Sequence, residues 1–354
     1  MSRYFYKTSN SPSSMLAAYT ELKHAEKVKQ YLLKNALFHP GYLPVKELGF
    51  IYFPITKKTT LPMAKVVNAT FSFPEKEKPL TVDELLKDDL TPGELKLLPR
   101  SQEIVGDIMI LEIPEELEKK EKIIAEAYLK SHKTISTIVK KKEMHSGAFR
   151  TRKVTVLAGK KSKETIHAEN GIKLKLHLEK TYFSARSGNE RLRIAQQVKK
   201  GEEVLVMFSG AAPYPLVIAK HSPAKNIYGI ELNPLAHAYA DENIRLNKLE
   251  NKIVLYRGDV YDVMPKLKKK FNRIVMPLPK TGEEFLPLAL KKSKKGSIIH
   301  LYSFLDEKDI DTYAEKVREI CSKHKHPVKI LAKVKCGQFS PGVFRVCLDM
   351  KVLK

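Results

Sequence analysis

The chain has 354 residues, 43% of them hydrophobic, which suits two or three domains with sizeable cores and excludes a disordered or fibrous protein. Its 64 basic residues face only 40 acidic ones, a net charge of +24 spread along the whole length, so the partner it implies is a polyanion, most simply nucleic acid. No apolar run approaches transmembrane length, the N-terminus shows no signal-peptide pattern, and no membrane partner is expected. Three cysteines, Cys321, Cys336 and Cys347, lack C-x-x-C spacing, which argues against a disulfide framework or a zinc site and for a reducing, cytoplasmic compartment.

In chain order, Glu21 to Leu37 carries Ala25, Val28, Leu32 and Leu33 at helical spacing and predicts a helix. Its lysines, Lys23, Lys27, Lys29 and Lys34, suit phosphate contacts or plain solvation equally. Phe50 to Ile55 predicts a strand, and Pro54 near its end predicts an edge position. Together these make a small N-terminal α+β module over residues 1–60. Pro74 to Pro79 predicts an exposed loop. Thr81–Val82–Asp83–Glu84 has the pattern of a capping box that opens a short helix. A middle α+β module is expected over residues 61–178. It has strands at Ile108–Ile113 and Ile135–Val139 and a helix at Glu115–Leu129. Lys153–Leu157 and Ile166–Glu169 predict a hairpin around Gly159–Ser162. Ile172 to Leu178 alternates apolar with Lys173, Lys175 and His177 and predicts a strand with one buried face. The loop Lys140–Arg152 is rich in basic residues, as an RNA-binding surface would be.

Residues 179–354 predict a Rossmann-like α/β domain. Val204–Phe208 is an apolar strand that ends at Ser209–Gly210. A helix over Pro215–Lys220 follows, then a strand Ile227–Ile230 stopped by Glu231, a helix Ala236–Leu246, and a strand Ile253–Tyr256 ending at Gly258–Asp259. A small-residue turn admits close backbone approach to a ligand, and an acid at the end of the second strand can accept hydrogen bonds from both ribose hydroxyls. The turn lacks the G-x-G-x-x-G pattern that a pyrophosphate needs. A ligand with ribose and adenine but no phosphate fits better, and S-adenosylmethionine is the commonest. Helices at Phe285–Lys291 and Asp306–Lys323 and strands at Ile298–Tyr302, Val328–Val334 and Val343–Met350 complete the domain. Gly337–Gly342 is expected to be a pocket loop or a hairpin connection.

Several motifs in order resemble the archaeal and eukaryotic tRNA (guanine-37 N1)-methyltransferases, including the archaeal branch that also methylates the wyosine precursor. They are Gly147–Ala148–Phe149–Arg150–Thr151–Arg152, the turn His167–Gly171, Tyr182–Phe183–Ser184 through Glu190–Arg191, Met207–Gly210 with Pro213, Glu231–Leu232–Asn233–Pro234 with Asn243 and Asn247, and Gly258–Asp259–Val260. The resemblance covers about residues 100–354, with a weaker match in the N-terminal module. It implies a monomeric enzyme whose N-terminal domain reads the outer corner of tRNA while the other two grip the anticodon stem-loop. It implies Glu190 as the general base at guanine N1 and Arg150 as the cation that stabilises charge on O6. Guanine N1–H is a poor nucleophile until a base takes its proton, and the resulting charge spreads to O6, so this assignment is chemically sensible. The target base must leave the stack to be reached. Cofactor contacts are implied for Arg186, Phe208, Ser209, Gly210, Ile230, Glu231, Asp259, Val260 and Pro277, and target contacts for Tyr182, Asn170 and Pro279. Tyr182 and Phe208 also suit ordinary core positions. Three positions depart from the family pattern: Val206 replaces an acid, Ala212 a glycine, and Pro277 the asparagine of an Asn-Leu-Pro motif. These departures leave two targets open, guanine N1 and C7 of 4-demethylwyosine. Two alternatives stand beside methyl transfer: aminocarboxypropyl transfer from the same cofactor, and tRNA binding without catalysis.

Overall fold

The computed structural model describes residues 15–76, 80–142 and 151–354. The chain divides into two compact units at Leu80. In the first, four antiparallel strands lie in the order Val45–Glu47, Phe50–Pro54, Met15–Glu21, Lys65–Ala69. Helix Ala25–Lys34 covers one face, with Val28 and Leu32 packed among Ala18, Ile51 and Phe53. The expected helix is therefore shorter than Glu21–Leu37, and its first residue, Glu21, ends a strand instead. Phe50–Pro54 is interior, not an edge. Pro54 is tolerated because the strand on that side pairs only as far as Tyr52, so no partner calls on the missing N–H. Lys65–Ala69 completes this sheet and takes it past the expected boundary at residue 60.

The second unit opens with the capping box. Thr81 Oγ1 accepts from the Glu84 amide at 3.2 Å and Glu84 returns the bond to the Thr81 amide at 2.7 Å. A four-stranded sheet follows in the order Glu103–Val105, Ile108–Leu111, Thr137–Lys141, Val154–Gly159. Helix Glu121–Ser131 packs on it through Ile124, Ala125 and Tyr128. The expected hairpin about Gly159–Ser162 does not form. Val154–Gly159 pairs with Thr137–Lys141, and Gly159, at φ +82°, lies so close to that strand that a Cβ would sit 2.2 Å from the Ser136 carbonyl oxygen. Only glycine fits there.

Glu164–Glu169 pairs instead with Ile172–His177, across a turn in which Asn170 (φ 44°) and Gly171 (φ 69°) both take the left-handed conformation of a tight hairpin. Ile172, Leu174 and Leu176 are buried against the helices that flank the large sheet, while Lys173 is exposed. Two asparagines of helix Pro234–Leu246 and its C-cap fasten this hairpin. Asn243, fully buried, accepts from the Lys175 amide at 2.6 Å and donates to the Lys175 and Ala211 carbonyls. Asn247 does the same for both backbone groups of Lys173.

The large sheet has seven strands in the order Ile253–Arg257, Asn226–Glu231, Glu203–Met207, Phe271–Met276, Ser293–Asp306, Val343–Val352, Val328–Ser340. The first five run parallel, Val343–Val352 runs against them, and Val328–Ser340 pairs antiparallel with Val343–Val352. Buried on both faces, Val204–Leu205–Val206–Met207 reads as a continuous apolar run for that reason. Gly337 to Ser340 belongs to the last strand pair, so the expected loop reduces to the turn at Pro341–Gly342. Cys321 and Cys347 are buried and Cys336 is half-buried, all as free thiols. Strand order reverses between Glu203–Met207 and Phe271–Met276, and a crevice beyond the carboxyl ends of such strands is where α/β sheets bind ligands.

Candidate active site

A cavity of about 400 Å³ occupies that crevice, a volume suited to a nucleoside-sized ligand. Its floor is the turn after the first strand of the βαβ unit. Phe208 (φ 57°), Gly210 (φ 57°) and Ala212 (φ 67°) are all left-handed there, which folds the backbone sharply before helix Pro213–His221. For Phe208 and Ala212 that conformation is strained, and strain of this kind collects at ligand sites. Ala212, where a glycine was expected, adopts the glycine conformation anyway.

Glu231 ends its strand on the cavity wall. Its carboxylate accepts from the Gly210 amide at 2.7 Å and from the Asn233 amide at 2.8 Å. Burial pushes its pKa above the ordinary carboxylate value, and the two amides oppose that shift. Each oxygen has one lone pair engaged and one left over, the arrangement that suits a pair of ribose hydroxyls. Asp259 caps helix Val260–Lys266 by accepting from the Tyr261 amide at 2.8 Å, and it lines the same wall. Phe285 meets Phe208 edge-on at 4.9 Å between ring centroids, giving an aromatic side to the cavity. Ser209 also lines the cavity, and its hydroxyl, packed toward Gly229, is buried with no partner among the described residues. These features fit the ribose and adenine of S-adenosylmethionine.

Ten expected site residues line this cavity: Tyr182, Phe208, Ser209, Gly210, Ile230, Glu231, Asp259, Val260, Pro277 and Pro279. Two expected contacts do not. Arg186 is exposed and off the wall. It lies in the 3-10 turn Ala185–Ser187, where residues three apart share a face, so Ser184 and Ser187 face the cavity and Arg186 does not. Asn170 is a turn residue whose amide donates to the Gly188 carbonyl at 2.9 Å, also away from the cavity. Arg150 lies outside the described residues. Glu190 is buried behind the wall, where Arg193 binds it through Nε at 2.7 Å and Nη2 at 2.8 Å and the Tyr302 hydroxyl donates to Oε1 at 2.6 Å.

Arg191, part of the Glu190–Arg191 motif but assigned no role there, also lines the cavity, as do Tyr214, Tyr302 and Arg345, which had no sequence signal of their own. Arg191 is neutralised by Glu169, with Nε to Oε1 at 2.6 Å. Arg345 has no carboxylate partner among the described residues. It bonds Ser187 and the Cys336 carbonyl, and its Nε is buried and unbonded.

A family model described as the TRM5/TYW2 methyltransferase domain matches residues 165–331, the TYW2 N-terminal domain matches 82–162, and the tRNA methyltransferase 5 N-terminal domain matches 20–60. The tRNA (guanine(37)-N(1))-methyltransferase Trm5b of Pyrococcus abyssi is 34% identical over 95% of this chain and 99% of its own length. The chain belongs to the TRM5/TYW2 family. The crystal structure of that Trm5b superposes with a TM-score of 0.70, at 34% identity, covering 96% of this chain and all of that one. A complex of aTrm5 with tRNALeu gives a TM-score of 0.68 at 30% identity, covering 95% and 99%. From Pyrococcus horikoshii, a tRNA(Phe) (4-demethylwyosine(37)-C(7)) aminocarboxypropyltransferase is 34% identical over 77% of this chain and 96% of its own. A P. horikoshii TYW2 in complex with MeSAdo has a TM-score of 0.66 at 32% identity, over 77% and 98%. TRM5/TYW2 membership thus accounts for the βαβ cavity, for the hairpin fastened by Asn243 and Asn247, and for the domain that precedes them.

Proposed function

We propose that this protein is an S-adenosylmethionine-dependent tRNA methyltransferase that acts at N1 of guanosine 37. The observation that carries this is the end-to-end match to a guanine-37 N1-methyltransferase. The aminocarboxypropyltransferase relative leaves about a quarter of this chain unmatched, whereas the tRNA methyltransferase 5 N-terminal domain is present at residues 20–60. The net charge of +24 supplies the field for a tRNA partner.

Glu231, Asp259 and Ser209 hold the ribose and adenine, and Phe208 with Ile230 and Val260 packs against them. When bound, S-adenosylmethionine supplies the electrophilic methyl group. Pro277–Leu278–Pro279 and Tyr182 bound the rest of the cavity, where the unstacked guanine enters. Glu190 is the terminal acceptor of the N1 proton, and Arg150 is the assigned partner of O6.

Pro277 supports a second target. It stands on the wall where the family pattern has an asparagine, and it brings no side-chain donor or acceptor to the base. Mass spectrometry of nucleosides from two tRNAs incubated with protein and cofactor tests both targets, one tRNA with guanosine at 37 and one with the tricyclic precursor. N1-methylguanosine from the first is the expected result. Methylated product from the second adds the C7 activity. An aminocarboxypropyl product, or no product from either, overturns the proposal.

A further inference from the structure

The base assigned to this reaction does not touch the cavity. Glu190 is only 5% exposed, and both of its oxygens are engaged within the protein. Tyr302, itself 1% exposed, lines the cavity where Glu190 does not. It lies on strand Ser293–Asp306 and commits its hydroxyl proton to Glu190 Oε1 at 2.6 Å. A phenol oxygen that donates its proton can still accept another.

Glu190 belongs to a buried, hydrogen-bonded set of charged side chains. Arg193 is shared between Glu190 and Asp349, which it reaches through Nη1 at 2.6 Å and Nη2 at 3.2 Å. Asp349 bonds His300 Nδ1 at 2.6 Å, and His300 Nε2 meets Arg273, itself paired with Glu202 at 2.9 Å. Burial holds the His300 imidazole neutral at pH 7. Three carboxylates, Glu190, Asp349 and Glu202, therefore face two guanidiniums, those of Arg193 and Arg273. Uptake of a proton by Glu190 does not strand Arg193, because Asp349 keeps it paired.

We propose that Tyr302 is a catalytic residue that receives the N1 proton of the target guanine while passing its own proton to Glu190. The proposal rests on the guanine-37 N1 function given above. The N1–H bond breaks and its electron pair forms the N1–methyl bond. The released proton goes to Tyr302 Oη, and the proton already on Oη goes to Glu190 Oε1. The pair that bound the methyl group stays on the sulfur of the cofactor, which loses its positive charge. Tyr302 begins and ends neutral.

The test is single-turnover methyl transfer to a guanosine-37 tRNA transcript by the wild type and Tyr302→Phe, with tRNA and cofactor affinities measured by filter binding and equilibrium dialysis. The relay predicts a rate lower by about 10²-fold or more with both affinities within about twofold. A variant rate within about threefold of wild type overturns it. Because the substitution also removes a buried hydrogen bond, the wild type is measured in mixtures of H2O and D2O as well. A bowed dependence of rate on deuterium fraction shows two protons moving together and supports the relay. A straight line shows one proton moving, directly between base and carboxylate, and overturns it even if Tyr302→Phe fails to fold. A wild type that leaves N1 unmethylated overturns the underlying function rather than the relay alone.

Discussion

Glu190 and Glu231 are both carboxylates at helix or strand ends, yet the structure gives them opposite surroundings. Glu231 faces the cavity with spare lone pairs, whereas Glu190 faces a buried network. Glu231→Ala is therefore expected to weaken cofactor binding by about 10- to 100-fold, through loss of hydrogen bonds to a charged group, in a calorimetric titration of the free protein. Glu190→Gln is expected to lower methyl transfer by about 10²-fold or more while leaving tRNA affinity nearly intact in filter binding. Unchanged turnover would remove Glu190 from the mechanism. The cofactor end of the site was legible in the sequence because strand, turn and terminal acid lie within one stretch, Val204 to Asp259. Tyr302 and Arg345 were not, because nothing near them in the chain marks them. They reach the wall through strand pairing, Tyr302 opposite Cys347 and Arg345 opposite Phe304. Arg186 misled because a residue's nearness in sequence to a motif says nothing about which side of a 3-10 turn it takes.

At the scale of elements, the clip between helix Pro234–Leu246 and the strand Ile172–His177 has no slack. Asn243→Ala would leave the Lys175 amide and two carbonyls without their partner in a dry environment. A loss of about 3 kcal/mol is expected in urea unfolding. Ala212 offers the reverse case. Its left-handed φ of 67° strains an alanine, so Ala212→Gly is expected to raise stability by about 1 kcal/mol, read as an increase in Tm. The alternation of Ile172, Leu174 and Leu176 identified its strand correctly, whereas the partner of Val154–Gly159 was misassigned. Short-turn hairpin reasoning joins Val154–Gly159 to the strand after it, whereas a glycine-dependent close approach to Ser136 joins it to the strand before it, across a longer connection. Strand Met15–Glu21 was missed because Leu16–Ala17–Ala18 has no strand propensity of its own and is fixed by neighbours on both sides.

For the whole molecule, charge governs association. Binding of tRNA is expected to weaken steeply with salt, with a linear and strongly negative slope of log affinity against log salt concentration. A flat slope would remove the lysine-rich surface from recognition. Stability responds to pH through the buried network. The folded-state pKa of His300 is depressed, chiefly by burial, so below its ordinary value near 6.5 the unfolded chain binds a proton that the folded one refuses, and stability falls. Asp349 is also held below the carboxylate range: burial opposes this, but His300 and Arg193 prevail. Its contribution is complete above about pH 4 and disappears as pH drops further. Urea midpoints should therefore be level above pH 7, decline from about pH 6.5, and decline faster below about pH 4. Charge foretold the polyanionic partner, and the alternation of strands and helices foretold the α/β class. Neither carried any trace of the network, whose members come from one helix, three strands and the turn at Glu202.

The three thiols make the protein its own reporter. Burial raises the pKa of Cys321 to about 12 and of Cys336 to about 11, and Cys347 lies fully enclosed, so none is a thiolate at neutral pH. A maleimide or disulfide dye should leave the native chain almost unlabelled. Each of the three sits on or beside the far strands of the large sheet, so uptake of dye over time counts the openings of that half of the domain. The wild-type sequence already carries the probe.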